Sequence, residues 1–160
     1  MPVRIVIIAF ISLLSLGCTK TSRLARSIES QSASPSKFIL YSLSPQRASK
    51  DETVTSTHFR GYSILGSAQI TDPAEQRALL RALARGAREN SDSAAMCFNP
   101  RHALHIEENQ HSVDFTICFE CLQVEARGFG PADWFTTSQS PEDIFNQSLT
   151  RHAVPKPPKV

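Results

Sequence analysis

The run SVDFTICFECLQVEA, residues 112–126, constrains this chain more than any other stretch. Val113, Phe115, Ile117 and Phe119 alternate with Asp114, Thr116, Cys118 and Glu120, the period of two that marks a strand with one face in a core. Side chains two apart share a face, so parity sorts the residues. Cys121 falls on the core side and Cys118 on the other. HALHI, residues 102–106, alternates in the same way: Leu104 and Ile106 turn inward, carrying His102 with them, and His105 stays outside. Glu108-Asn109-Gln110 between the two runs is a hairpin connection, so they form an antiparallel pair.

The rest of the chain extends this pattern. FILYSL (38–43) is a short strand, and HFRGYSILGSAQI (58–70) a second one in which Gly66 marks a bulge. Asp72-Pro73-Ala74-Glu75 announces a helix, with aspartate as cap, proline at the first helical position and glutamate completing a variant capping box. Leu79, Leu80, Leu83 and Ala87 recur at helical spacing and define its inward face. Ser140-Pro141-Glu142-Asp143 opens a short second helix by the same capping logic, with Ile144, Phe145 and Leu149 apolar. The predicted fold class is α+β: an antiparallel β-sheet with one main helix and a short C-terminal helix packed on one face.

The N-terminus, MPVRIVIIAFISLLSLGC, runs from Arg4 into an apolar block, residues 5–16. The block is short for a hydrocarbon core of about 30 Å and ends in small residues, the layout of a secretory signal. Ser15-Leu16-Gly17-Cys18 resembles the lipobox of bacterial lipoproteins, although Ser15 stands where that family most often has Leu, Val or Ile. The resemblance implies cleavage before Cys18, diacylglycerol on its sulfur and an acylated N-terminus. Acyl chains anchor at about 0.8 kcal/mol per buried methylene. Thr19 replaces the aspartate that retains some lipoproteins at an inner membrane, so the resemblance implies an outer membrane, with the domain facing the periplasm.

Residues 1–17 are then signal peptide and 18–37 a lipidated cysteine with a Ser-rich flexible tether. A single α+β domain spans 38–150, and 151–160 is a Pro-rich disordered tail. With 17 Lys+Arg against 15 Asp+Glu, no global field points to nucleic acid as a partner. Arg77, Arg81, Arg85 and Arg88 form a stripe on the main helix with no acid four residues earlier at Arg81, Arg85 or Arg88. The stripe suits an anionic lipid or an acidic envelope protein, but the plainer reading is a solvated face partly paired with Glu107, Glu108 or Glu120.

The remaining cysteines admit several arrangements. With Met96 and Phe98 inward, Cys97 turns outward and shares a side with Cys118, which makes Cys97–Cys118 the disulfide candidate. An exported compartment favours oxidation, and closing some twenty residues contributes about 3 kcal/mol. Cys121 is then a buried, inert thiol. The alternative is zinc: Cys97, His102, Cys118 and Cys121 spell C-x4-H-x15-C-x2-C, three thiolates and an imidazole. Parity divides that set between two faces unless the strand bulges after Cys118. A thioredoxin-like redox pair wants its first cysteine at a helix N-terminus, and no helix start follows Cys118. Leu122 occupies the histidine position of a haem-attachment motif. A third arrangement sets Cys121 beside His102 as an activated nucleophile, with Asn99, Arg101 or Glu120 as orienting partners.

The combination CFNPRH…ICFECLQ, within residues 59–124, resembles that of short exported bacterial proteins, and the resemblance carries no activity with it. Together these features describe a lipid-anchored envelope protein with a small binding or structural ectodomain. The Arg stripe or the FNPRH corner is its contact surface, and no cofactor is called for. A thiolate metal protein and a cysteine-dependent enzyme are the alternatives, the last without an acid/base pair or phosphate loop behind it.

Overall fold

Alternation along the 112–126 run translates directly into pairing. β4 (His102–Glu108) and β5 (His111–Cys118) are antiparallel, with His102 opposite Ile117 and His105 opposite Asp114. Asn109 and Gln110 join them with φ of 49° and 67°, the left-handed pair that matches strand twist in a two-residue hairpin. The computed structural model describes residues 20–31, 35–50, 53–90 and 93–158. The signal segment and Cys18 lie outside the described residues.

Five further strands complete one antiparallel sheet: β1 (Lys37–Arg47), β2 (His58–Phe59), β3 (Tyr62–Gln69), β6 (Gln123–Arg127) and β7 (Trp134–Thr136). Their order is β2-β3-β1-β4-β5-β6-β7. With α1 (Lys20–Ser30), α2 (Pro73–Glu89) and α3 (Glu142–Arg151), the chain is α+β. The expected bulge is present: the β1–β3 register shifts between Ser42, opposite Gly66, and Leu43, opposite Ile64. Gly66 has a second role, since a Cβ there would lie 2.9 Å from Val154 Cγ1.

The parity assignments hold along the strands. Leu104, Ile106, Val113, Phe115, Ile117 and Phe119 enter one buried apolar cluster, which also takes Ile28, Leu79, Leu80, Leu83, Phe145 and Leu149 from the helices. Each such side chain contributes about 1.5–3 kcal/mol by leaving water. Residues of opposite parity, Tyr41, Leu43 and Ala103, join Phe59 and Tyr62 in a second, smaller cluster.

Three expectations need correction. Part of the expected tether is α1, because Leu24, Ala25 and Ile28 fall on one helical stripe; Ala25 and Ile28 are fully buried, and Glu29 meets Arg88 of α2 at 2.8 Å. The Pro-rich tail is docked through 158, with Val154 buried where Gly66 leaves room. Asp72 does cap α2, accepting from the Ala74 N–H at 2.8 Å, but no capping box closes. Glu75 instead accepts from Ser148 at 2.6 Å and from Arg151 at 2.7 Å, tying α2 to α3. Pro141 occupies the cap position of α3 without a side-chain cap bond.

Candidate functional site

β5 stops at Cys118, and residues 119–122 form a turn in place of continued strand. The Leu122 N–H donates to the Phe119 carbonyl at 3.3 Å, and Leu122 takes the left-handed φ of 59°. The reversal swings Cys121 to the side of Cys118, and the two form a disulfide with Cα atoms 5.1 Å apart. Both are 1% exposed. The Cys121 N–H points at Cys118 Sγ, 3.1 Å away. A loop this short restrains the unfolded chain by about 2 kcal/mol, less than the longer loop expected.

Cys97 is therefore not the partner of Cys118; it is a free, exposed thiol. It nevertheless belongs to the corner. Its Sγ lies 3.4 Å from Cys121 Sγ, and the Asn99 N–H reaches the same sulfur at 3.3 Å. Residues 95–99 are held over the turn by the Ala95 N–H to the Cys121 carbonyl at 3.0 Å, and by the Gln123 amide to the Ala95 carbonyl at 2.5 Å. Met96 is fully exposed rather than inward, because this segment is not a strand and parity has no hold on it.

Arg101 completes the arrangement. Its N–H donates to the Ile117 carbonyl at 3.1 Å, and its carbonyl accepts from the Leu43 N–H at 2.9 Å. Ile117 already lies opposite His102, so the bond from Arg101 to Ile117 is one residue out of the β4–β5 register and the pairing is irregular at the corner. The side chain is 5% exposed, and Nη1 meets Glu120, the residue between the paired cysteines, at 2.5 Å. Nε and Nη2 are buried and have no hydrogen-bond partner among the described residues.

The structure does not bring His102 to the sulfurs. Its Nε2 faces Asn146 Oδ1 at 3.1 Å, and its ring packs on Phe119 and Phe145 with centroids 5.3 and 5.9 Å away. Burial pushes its pKa down to about 4, against the Asn146 hydrogen bond and with help from Arg101, so the ring is neutral at pH 7. The four-residue zinc set is split accordingly, and the Cys121–His102 nucleophile pair is not formed. Among the described residues no group of three or more His, Cys, Asp or Glu is arranged to hold a metal ion.

A second polar cluster lies across β4 and β5. His105 Nδ1 meets Asp114 at 2.6 Å and Nε2 meets Glu107 at 2.8 Å. Arg60 Nε donates to Asp114 at 2.9 Å, and Lys37 reaches Glu107 at 3.3 Å. The Asp114 hydrogen bond, opposed by burial and aided by Glu107, raises the His105 pKa. With a carboxylate on each nitrogen both ring nitrogens are engaged, and the protonated form is favoured. Parity had put His105 and Asp114 outward; only the strand register shows that they meet.

The arginine stripe is exposed along α2, yet half of it is engaged: Arg88 pairs with Glu29 at 2.8 Å and Arg85 with Glu89 at 3.6 Å. A groove of about 830 Å³ runs between α1 and the β7 region, lined by Arg23, Leu24, Asp133, Trp134 and Phe135 among others. No local sequence signal marks this groove, because one wall is α1, whose Ser-rich composition matches a tether. Comparison with family models, with curated proteins and with solved structures found no match.

Proposed function

We propose that this is a lipid-anchored protein of the cell envelope whose three-sulfur corner exchanges disulfides with the thiols of other proteins. One observation carries it: a free, exposed thiol stands 3.4 Å from one sulfur of a buried disulfide. In the first step the Cys97 thiolate attacks Cys121 Sγ, the Cys118–Cys121 bond breaks, and Cys118 leaves as a thiolate. The disulfide now includes an exposed sulfur. A partner thiolate attacks Cys97 Sγ, releasing the Cys121 thiolate and forming a mixed disulfide. The partner's second thiolate resolves it and frees Cys97. Two electrons have passed from a protein dithiol to the Cys118–Cys121 pair, and a partner disulfide drives the reverse sequence.

The helix-terminus thiolate of thioredoxin-like proteins has no counterpart here; backbone N–H groups aimed at Cys118 and Cys121 take its place. An oxidising envelope, implied by the lipobox resemblance, suits such chemistry. In this arrangement the three helices cover one face of the sheet, on the strength of the apolar cluster they share with its strands, and Cys97 is the exposed sulfur of the corner.

The full chain, incubated with a peptide carrying a single thiol, should acquire the peptide on Cys97, read by mass spectrometry of proteolytic fragments. Cys118 and Cys121 are too buried to be first targets. A peptide found on Cys118 or Cys121, or on none of the three, contradicts the exchange function.

A further inference from the structure

We propose that Arg101 holds Cys118 as a thiolate whenever exchange leaves that sulfur unbonded, which makes Cys118 the leaving group of the first step and Arg101 its positioning residue. The inference rests on the exchange function above and names the group that sets its direction.

The starting point is an unsatisfied cation. Arg101 is 5% exposed, and Glu120 takes only Nη1, leaving Nε and Nη2 buried without a partner among the described residues. A buried donor left unmet is costly, and more so when the group is charged. A buried guanidinium fork of this kind calls for an anion. The backbone shows which one. Arg101 brackets Cys118: its backbone N–H holds the carbonyl of Ile117, the residue before Cys118, and its Nη1 ends on Glu120, between the two bonded cysteines. While Cys118 is in the disulfide, its sulfur is neutral and a weak acceptor. Exchange onto Cys97 converts it to an anion, the charge that the two unpartnered N–H groups of Arg101 lack. The Cys121 N–H is already in place at 3.1 Å.

The other groups around Cys118 do not supply this charge. Glu120 opposes it and is 40% exposed. Cys97 and Cys121 are consumed in the new disulfide, so neither ionises. Gln123, opposite Cys118 on β6, is uncharged, and Leu43, Phe98 and Asn99 carry no charge either. His102, across the sheet, is neutral at pH 7. A lower thiol pKa makes a faster leaving group, so Arg101 favours expulsion of Cys118.

The test is a titration of the full chain carrying Cys97→Ser and Cys121→Ser, which leaves Cys118 as the one titrating thiol beside the acylated Cys18. Thiolate absorbance and the alkylation rate are followed against pH. Cys118 should ionise below the ordinary thiol value of about 8.5. Arg101→Met should raise the midpoint by about 1–3 pH units, and Arg101→Lys should restore part of the difference. Glu120→Gln, which keeps Arg101 and removes its competitor, should lower the midpoint and serves if Arg101→Met does not fold. An unchanged midpoint in Arg101→Met, or an unchanged or raised one in Glu120→Gln, overturns the inference and leaves exchange standing. A peptide that never reaches Cys97 overturns exchange and leaves this titration intact.

Discussion

His102 and His105 lie three residues apart on β4, and their surroundings push their pKa values in opposite directions. For His102, burial depresses the pKa to about 4. Between the unfolded value of about 6.5 and that folded value the unfolded chain binds the extra proton, so stability falls as pH falls, by about 3 kcal/mol across the window. For His105 the Asp114 hydrogen bond, with Glu107, outweighs burial and raises the pKa. Its contribution is complete below about 6.5 and is lost as pH rises through the folded value. The two windows meet, so stability from these histidines peaks near the unfolded histidine pKa. Denaturant titrations across pH should show the peak; His102→Gln should flatten its acid limb and His105→Gln its alkaline limb. Glu75 acts lower: burial opposes its ionisation, but hydrogen bonds from Ser148, Arg151 and His152 hold it at about 2. Its share is lost as pH falls from about 4.5 through that value.

At the scale of elements, α1 is where composition misled most. Serines dominate its surroundings, yet Ile28 and Ala25 are fully buried. A free tether would tolerate Ile28→Ala without cost. The structure instead predicts a loss of about 2–5 kcal/mol, read as a shift in the denaturation midpoint. β4 and β5 were legible because alternation is a one-dimensional signal, and it placed His102, Leu104, Phe115 and Ile117 correctly. The signal ended where the strand did. Phe119-Glu120-Cys121-Leu122 contains no glycine, asparagine or proline, so the turn has no local marker; Leu122 adopts φ of 59° without the residue type that usually announces it. Parity carried through that turn put Cys121 on the wrong side and chose the wrong disulfide. The nearby groups named as orienting partners, Asn99, Arg101 and Glu120, do converge on the corner. Their convergence depends on β4–β5 register and on the docking of residues 95–99, which are long-range facts that no local pattern encodes.

For the whole molecule, α1 begins close in sequence to the candidate lipidation site Cys18. Cys18 precedes the start of α1 by two residues, at most about 7 Å of extended chain. If Cys18 carries acyl chains, the lipidated protein should remain on anionic vesicles through high salt, because apolar insertion is not screened. Cys18→Ser should leave only the weak attraction of exposed cations such as Arg77 and Arg81, worth about 1 kcal/mol each near an anionic surface and removed by salt. Salt release of the wild-type chain in a flotation assay would count against the lipid anchor. The proposed exchange chemistry does not depend on that anchor, and disulfide mapping of Cys118→Ser tests it most directly. With Cys118 removed, Cys97 and Cys121 are the sulfurs 3.4 Å apart. Protein purified from an oxidising compartment is predicted to contain a Cys97–Cys121 bond and to resist alkylation at Cys97. A Cys97 that stays free and alkylates at the rate of an exposed thiol contradicts the account.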